Sequence, residues 1–402
     1  MSGLLSVKEA LNRILDTVQP KDSETVPLNA AGGRVLTAPL SASRTQPPFP
    51  ASAMDGYAVR GSDIEQLPCR LKLIGESAAG HGFDHAIGPG DCVRIFTGAP
   101  VPDGADTIII QEHAVARGDQ IEIQKPETVG RYIRPRGMDF QKGDTFFATG
   151  YEIDAPCLSL AAAMNLPDLN VFRRPAVAII ATGDELVLPG DEPGPDQIVA
   201  SNGFGVAEIV RKAGGEPIDL GIAVDTLVAL DDKIERATDA DIVITLGGAS
   251  VGDHDLVQTS LKNRGVDLDF WKLAMRPGKP VMFGKSVSNG KTQRIIGLPG
   301  NPVSSLVCSL VFVVPLIRKL TGRKPLAEPL PGILTHSLAA NDQREEYLRG
   351  TFETVNGVHR AVAFDVQDSS LLSLIAQANC LIIRPAFAPA SDPGAAFDII
   401  PL

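Results

Sequence analysis

Between residues 173 and 326, short apolar runs alternate with segments of helical periodicity, and this alternation limits the possible folds more than any other feature of the chain. PAVAIIATGDEL opens with a continuous apolar run, the pattern of a strand buried on both faces. SNGFGVAEIVRKAGG reads as a helix stopped near Gly214, EPIDLGIAV as a strand, TLVALDDKIERATD as a helix, and ADIVITLGG as a further strand. Val266–Lys272, the loop MRPGKP, VMFG and RIIGLPG follow, and then an apolar helix from about Pro302. Strands and helices in this order predict a three-layer, doubly wound α/β domain.

The flanks have a different texture. From about residue 20 to 172, β-like pieces such as RLKLIGES, DCVRIFTGA, DTIIIQEH and IEIQK are separated by turns, and helical periodicity is confined to Ala155–Met164. TQPPFPASAMDGYAV is too rich in proline for a helix and places Met54-Asp55-Gly56 in an exposed turn. Residues 327–402 return to β pieces (YLRGTFETV, HRAVAF, CLIIRPAF) that predict a small β-barrel-like domain. A chain of 402 residues has room for two to four domains.

Several classes are excluded. The N-terminal segment pairs Ser6 with Glu9 at capping-box spacing and repeats Val7, Leu11, Ile14, Leu15 and Val18 on one face. Its early charges make it an amphipathic helix and not a signal peptide. The longest apolar stretch, Leu306 to Ile317, is interrupted by Ser309 and Pro315 and is short of the ~20 residues of a membrane span, so it reads as a core helix. The five cysteines are scattered, odd in number and without a C-x-x-C pair, which argues against disulfides or a zinc site and for a reducing, cytoplasmic setting. A net charge of −11 disfavours nucleic acid and anionic membranes as partners. Any anion site must therefore be a local construction of backbone amides and a few cations.

Open α/β sheets bind ligands beyond the carboxyl ends of their strands, and four expected strand ends carry marked residues. They are Thr182-Gly183-Asp184-Glu185, Asp225, Gly247-Gly248-Ala249-Ser250 with Asp253 and Asp255, and Pro299-Gly300-Asn301-Pro302. Asn301 stands as an N-cap with Pro302 at the first helical position, leaving the amides of Val303, Ser304 and Ser305 at a positive helix end. Gly247-Gly248 lets backbone amides approach a phosphate closely. Glu185, Asp225 and Asp255 are the candidate ligands for Mg²⁺, which takes one or two carboxylates together with substrate phosphates. Taken singly, each acid suits a solvated loop or a helix cap equally well, Asp225 before Thr226 in particular; their convergence singles them out. Lys272, Arg276 and Lys279 in WKLAMRPGKP either neutralise an anionic substrate or are ordinary surface cations.

SAMDGYAV (52–59), RIFTGAPVPDGADTIIIQE (94–112), RPRGMD (134–139), ATGDEL (181–186), GGASVGDHD (247–255), WKLAMRPGKP (271–280) and GLPGNPVS (297–304) together resemble the molybdopterin molybdotransferase (MoeA) family, to which the C-terminal part of gephyrin also belongs. The resemblance runs over essentially the whole chain. It implies a homodimer with four domains per subunit: 1–45 with 145–172 as a discontinuous linker and dimerisation domain, 46–144 carrying the MDGYA segment, 173–326 binding molybdopterin, and 327–402 at the C-terminus. The implied reaction inserts molybdate into adenylylated molybdopterin, releasing AMP and molybdenum cofactor, with Mg²⁺ or another divalent cation. A molybdopterin adenylyltransferase and cofactor-accepting enzymes are the implied protein partners.

By the same resemblance Asp55, Glu185, Asp225, Asp255, Lys272 and Arg276 are catalytic, and Thr97, Asp139, Arg349, Ser369 and Ser373 bind substrate. The strand-end residues Thr182, Gly183, Gly247, Gly248, Ser250, Pro299, Gly300, Asn301, Pro302 and Ser304 join them, with Lys279. Asp55 is expected to act on the cleft of the partner subunit. Arg276 departs from the lysine common in relatives, replacing a compact ammonium with a planar fork. QDSSLLSLIAQAN (367–379) lacks the glycine that relatives show among their serines. Two rival readings use the same α/β module: a nucleotide pyrophosphatase, disfavoured by the β-rich flanks and MDGYA, and a non-catalytic scaffold of gephyrin type, disfavoured by the lack of a linker and adenylyltransferase domain.

Overall fold

In the α/β region four strands run parallel in the order Glu216–Ala223, Ala176–Thr182, Ile242–Leu246 and Lys291–Leu298. Two more, Pro280–Ser288 and Asp267–Lys272, extend the sheet antiparallel. The computed structural model from which this is read describes residues 4–248, 256–288, 290–326 and 328–402. It divides into two compact units. One runs to Glu24, takes in Gly33–Val35 and resumes at Phe172; the other holds Thr25–Gly32 and Leu36–Val171.

Side-chain alternation makes the sheet a middle layer. Val177, Ile179, Ile242, Ile244, Ile296 and Leu298 face one core, while Ala178, Ile180, Val243 and Ile295 face the other. The first core is covered by helices Asn202–Ala213 and Pro302–Leu320, the second by Leu227–Arg236 and Leu256–Asn263. This is the expected three-layer, doubly wound domain. The VMFG segment is longer than its apolar run suggests, because it pairs as a hairpin arm with Lys291–Leu298. Helix Pro302–Leu320 is also longer than the apolar stretch, and long and apolar enough to cross a membrane, yet it lies 72% buried within this unit. A π-helical stretch, Ser309–Val313, is separated by one residue from Pro315, whose ring cannot fit a regular helical turn.

The first helix, Val7–Leu15, is capped by Ser6, whose Oγ accepts from the Glu9 N–H at 3.2 Å. Its buried face (Val7, Ala10, Leu11, Ile14) joins the same core as Val177 and Phe312. Just before it, Leu5 exchanges backbone hydrogen bonds with Lys272 and Ala274. The expected segment 1–45 is thus divided: its helix belongs to the α/β unit, and the chain from Leu36 belongs to the other unit.

The C-terminal strands close on themselves. Glu345–Val355, Val358–Ala363, Leu330–Leu334, Ala396–Pro401 and Cys380–Arg384 pair in turn, and the last returns to the first, which makes a five-stranded barrel. Tyr347 and Leu381 of the barrel enter the α/β core, and the short strand Met275–Arg276 pairs with Glu345 and Glu346.

The other unit holds a six-stranded sheet in the order Thr107–Ile110, Gly56–Val59, Asp91–Ile95, Cys69–Ser77, Gln120–Ile123 and Ala114–Arg117. Tyr57, Val59 and Ile109 fill one face and Ala58, Val93 and Ile108 the other. A separate small core gathers Leu36, Phe140, Ile153 and Val171 around helix Ala155–Ala163.

Ile14 is fully buried, and truncating such a side chain costs about 2–5 kcal/mol. Ile14→Ala should therefore lower the urea midpoint of the α/β unit, read from the fluorescence of Trp271, the sole tryptophan, on strand Asp267–Lys272. An unchanged midpoint would contradict the placement of the first helix in that core.

Candidate active site

The sheet order reverses beside strand Ala176–Thr182: the next strand in sequence, Glu216–Ala223, lies on one side of it and Ile242–Leu246 on the other. Ligands of open α/β sheets bind at such a switch point. Here the carboxyl ends deliver Thr182-Gly183 and Gly247-Gly248 to a cleft of about 1370 Å³. Gly247 has φ +95°, and a Cβ there would meet the Thr182 carbonyl oxygen at 2.9 Å, so this crossing admits only glycine.

The cleft gathers most of the residues expected from sequence. Thr182, Gly183, Glu185, Asp225, Gly247 and Gly248 line it from one side; Arg276, Lys279, Pro299, Gly300, Asn301, Pro302, Ser304 and Ser369 complete it. Lys272 and Ser373 are exposed on the surface and do not line it. Ser250 and Asp255 lie outside the described residues. Asp55, Thr97 and Asp139 belong to the other compact unit.

The acids sit close together. The Asp225 N–H donates to Asp184 Oδ1 at 2.9 Å. Partial burial pushes the Asp225 carboxyl above the usual carboxylate range, and the charges of Asp184 and Glu185 add to the shift. The helix cap is supplied by Thr226, whose Oγ1 accepts from the Ala229 N–H at 3.3 Å, which leaves Asp225 free of that duty. Among the described residues no cationic side chain pairs with Glu185 or Asp225, and no group of three His, Cys, Asp or Glu side chains is arranged as a metal site. Mg²⁺ takes one or two carboxylates and fills its shell with water and phosphate oxygens. The Glu185–Asp225 pair with its excess of negative charge fits an ion shared with a phosphate-bearing ligand.

The opposite wall differs from the sequence expectation in detail. Three free amides were expected at Val303–Ser305. The Val303 N–H instead donates to the Ser369 carbonyl at 3.1 Å and the Ser305 N–H to the Asn301 carbonyl at 3.0 Å, so Ser304 alone keeps an unpaired N–H among the described residues. Asn301 holds the cap position without a side-chain cap bond and sends its Nδ2 to Ser369 Oγ at 2.8 Å. Asn202 Nδ2 donates to the Gly300 carbonyl at 2.7 Å and fixes the turn.

The cations separate as well. Arg276 bridges Asp342 at 2.6 Å and Glu346 at 2.8 Å, which fixes its orientation. Arg344 (2.6 Å to Asp342) and Arg384 (3.5 Å to Glu346) share the same two acids, so the cluster holds three cations against two carboxylates. The planar fork suits this double pairing, as a point-like ammonium would not. Lys279 is exposed at the rim, with no side-chain partner among the described residues. Arg349 is expected to bind substrate but is fully buried in the barrel. Its Nη2 donates to the Asp368 carbonyl at 3.0 Å, and its N–H donates to Gln367 Oε1 at 3.0 Å. It thus supports the loop Gln367–Ser370, which reaches the cleft. Asn202, Arg344, Gln367, Asp368 and Ser370 line the cleft without having been expected.

In the second unit, Asp55 lies in the exposed turn before strand Gly56–Val59. Its Oδ1 accepts from the Thr97 N–H at 2.7 Å and from Thr97 Oγ1 at 2.8 Å. These bonds hold its carboxyl below the usual range, helped by the charge of Arg94. Asp139 is exposed, and its N–H donates to the Gln46 carbonyl at 3.1 Å.

An acid whose pKa is raised by folding takes up its proton more readily in the folded state, so stability falls as pH rises through that value. Asp225→Asn should therefore melt at a higher temperature than wild type at pH 7, with the difference shrinking on acidification through the carboxylate range. A variant that melts lower at pH 7 would show that Asp225 carries no such strain.

Comparisons with known proteins cover the same ground. The family described as MoeA N-terminal region (domain I and II) matches residues 5–165, a probable molybdopterin binding domain matches 178–319, and the MoeA C-terminal region (domain IV) matches 331–402. A molybdopterin molybdenumtransferase of Nostoc sp. is 36% identical over 94% of this chain and 90% of its own length. One from Haemophilus influenzae is 35% identical over 94% of both chains. A solved molybdopterin biosynthesis MoeA protein from Pyrococcus horikoshii superposes with a TM-score of 0.80 at 29% identity, over 99% of this chain and 98% of that one. With relatives that similar along nearly its whole length, the chain belongs to the molybdopterin molybdenumtransferase (MoeA) family, transferases of molybdenum cofactor biosynthesis.

Proposed function

We propose that the cleft at the switch point binds adenylylated molybdopterin and molybdate, and that the enzyme inserts the metal oxyanion into the pterin dithiolene with release of AMP. The observation that carries this reading is the meeting of two glycine-bearing turns, Gly247-Gly248 and Pro299-Gly300, with the acids Glu185 and Asp225 in one cavity. At about 1370 Å³ the cavity exceeds the ~300–1,000 Å³ of ordinary small-molecule pockets, as a ligand made of a pterin joined to a nucleotide requires.

In this reading Gly247, Gly248 and the Ser304 N–H face the phosphates, and Asn202 and Asn301 hold the second turn in place. Glu185 and Asp225 would hold a divalent cation, Mg²⁺ by its preference for oxygen, which would neutralise charge on the pyrophosphate link. Lys279 offsets the charge of the incoming oxyanion, with Lys272 as a more distant cation, and the loop braced by Arg349 presents Ser369. Asp255 and Ser250 keep the roles that the resemblance implies. The resemblance of SAMDGYAV and RPRGMD supports a homodimer of four-domain subunits in which Asp55, Thr97 and Asp139 come from the second copy. A cytoplasmic location, and exchange with a molybdopterin adenylyltransferase and cofactor-accepting enzymes, go with the same reading.

Purified protein incubated with adenylylated molybdopterin, Mg²⁺ and molybdate should release AMP only when molybdate is present. Molybdate-independent release would favour a pyrophosphatase, and no turnover a binding role. Asp55→Ala should fold normally and lose about 100–1,000-fold in rate, the usual cost of one positioned electrostatic contact. Mg²⁺ should raise the melting temperature of the wild type in the presence of AMP more than that of Glu185→Gln; equal shifts would remove Glu185 from the cation site.

A further inference from the structure

Asp55 is held by more than its bonds to Thr97. Its backbone carbonyl accepts from the Gln111 N–H at 3.1 Å. The next carbonyl, that of Gly56, accepts from Arg94 Nη1 at 3.1 Å, and Arg94 Nη2 donates to Gln111 Oε1 at 2.8 Å. The guanidinium lies 5.1 Å from the Tyr57 ring centroid and 4.9 Å from that of Phe96. Arg94 thus starts on strand Asp91–Ile95, reaches the neighbouring strand Gly56–Val59, and ends on the turn after Thr107–Ile110. It ties together the three chain segments that meet around Asp55.

The backbone beneath is equally tight. A Cβ on Gly56 would come within 1.9 Å of the Ile109 carbonyl oxygen, so the strand is pressed against its neighbour at the residue after the acid. Two donors on one planar group, each with its own acceptor and with two rings within about 5 Å, define an orientation that a single flexible ammonium does not.

We infer that Arg94 is a positioning residue: by bracing the Gly56 carbonyl and the Gln111 side chain, it fixes the turn that presents the Asp55 carboxylate for the transfer reaction. The inference rests on the proposed role of Asp55. Arg94 itself touches no substrate; it acts through Asp55.

The test is a double-mutant cycle on the full-length enzyme, following AMP release at saturating adenylylated molybdopterin, molybdate and Mg²⁺. Arg94→Met should lower kcat by about 10- to 100-fold with KM little changed, as a displaced catalytic group does. Placed in an Asp55→Asn background, the same substitution should cost less than about 2-fold more. Arg94→Lys, which keeps the charge and loses the fork, should fall between wild type and Arg94→Met, and it stands in for Arg94→Met should that variant fail to fold. Effects that multiply in the double variant would overturn the inference. A wild type without turnover would sink the functional reading instead. In that case amide hydrogen exchange still decides the brace. Arg94→Met or Arg94→Lys should speed exchange at Thr97 and Gln111 at least about tenfold and leave the α/β unit unchanged. Wild-type exchange rates at those two amides would show that Arg94 braces nothing.

Discussion

Four parallel strands can share one edge only if every crossover returns the chain to the same end of the sheet, and that constraint sets the position of the whole candidate site. The central strands Ala176–Thr182 and Ile242–Leu246 are buried on both faces, so the polar residues of the site lie at or past their carboxyl ends. There the backbone must turn sharply, and glycine at Gly183, Gly247 and Gly248 permits it. Acids, glycines and a helix start therefore meet in one cleft without having been near neighbours in sequence.

The barrel completes this arrangement by mechanical means. Met275–Arg276 is a strand of the barrel sheet, yet it lies in the segment that leads directly to Lys279. Arg276 with Asp342 and Glu346, and Arg349 with Gln367 and Asp368, anchor two cleft-lining loops to a closed set of strands. A closed barrel has no free edge along which it could slip, so these loops inherit its rigidity.

What could be read from the sequence was whatever lies within one element and its cap. The alternation of runs gave the sheet, and the marked strand ends gave Glu185, Asp225 and Gly247. What could not be read were pairings across long separations. Asn202 meets the carbonyl of Gly300, Ser369 takes the amide of Val303, and Arg276 meets Asp342. Nothing local to any of these residues signals its partner. Of the two amides wrongly counted as open at the helix start, Val303 is closed by a loop more than sixty residues downstream, whereas Ser305 makes the ordinary first bond of the helix to the Asn301 carbonyl. Asp55 was recognisable only by resemblance, since its clamp on Thr97 joins two strands of a sheet that the turn-rich sequence only sketches.

The first helix is made about 160 residues before the sheet it covers. A chain emerging from the ribosome completes Thr25–Gly32 and Leu36–Val171, with their own cores, while the apolar face of Val7–Leu15 still has nothing to pack against. Domains form in the order of synthesis, and exposed apolar faces invite aggregation in the interval. Folding of the α/β unit is therefore a late event that must recover a segment synthesised early. A nine-residue segment forms little helix by itself in water, so Val7–Leu15 takes up its helix only once the sheet it covers is there to pack against.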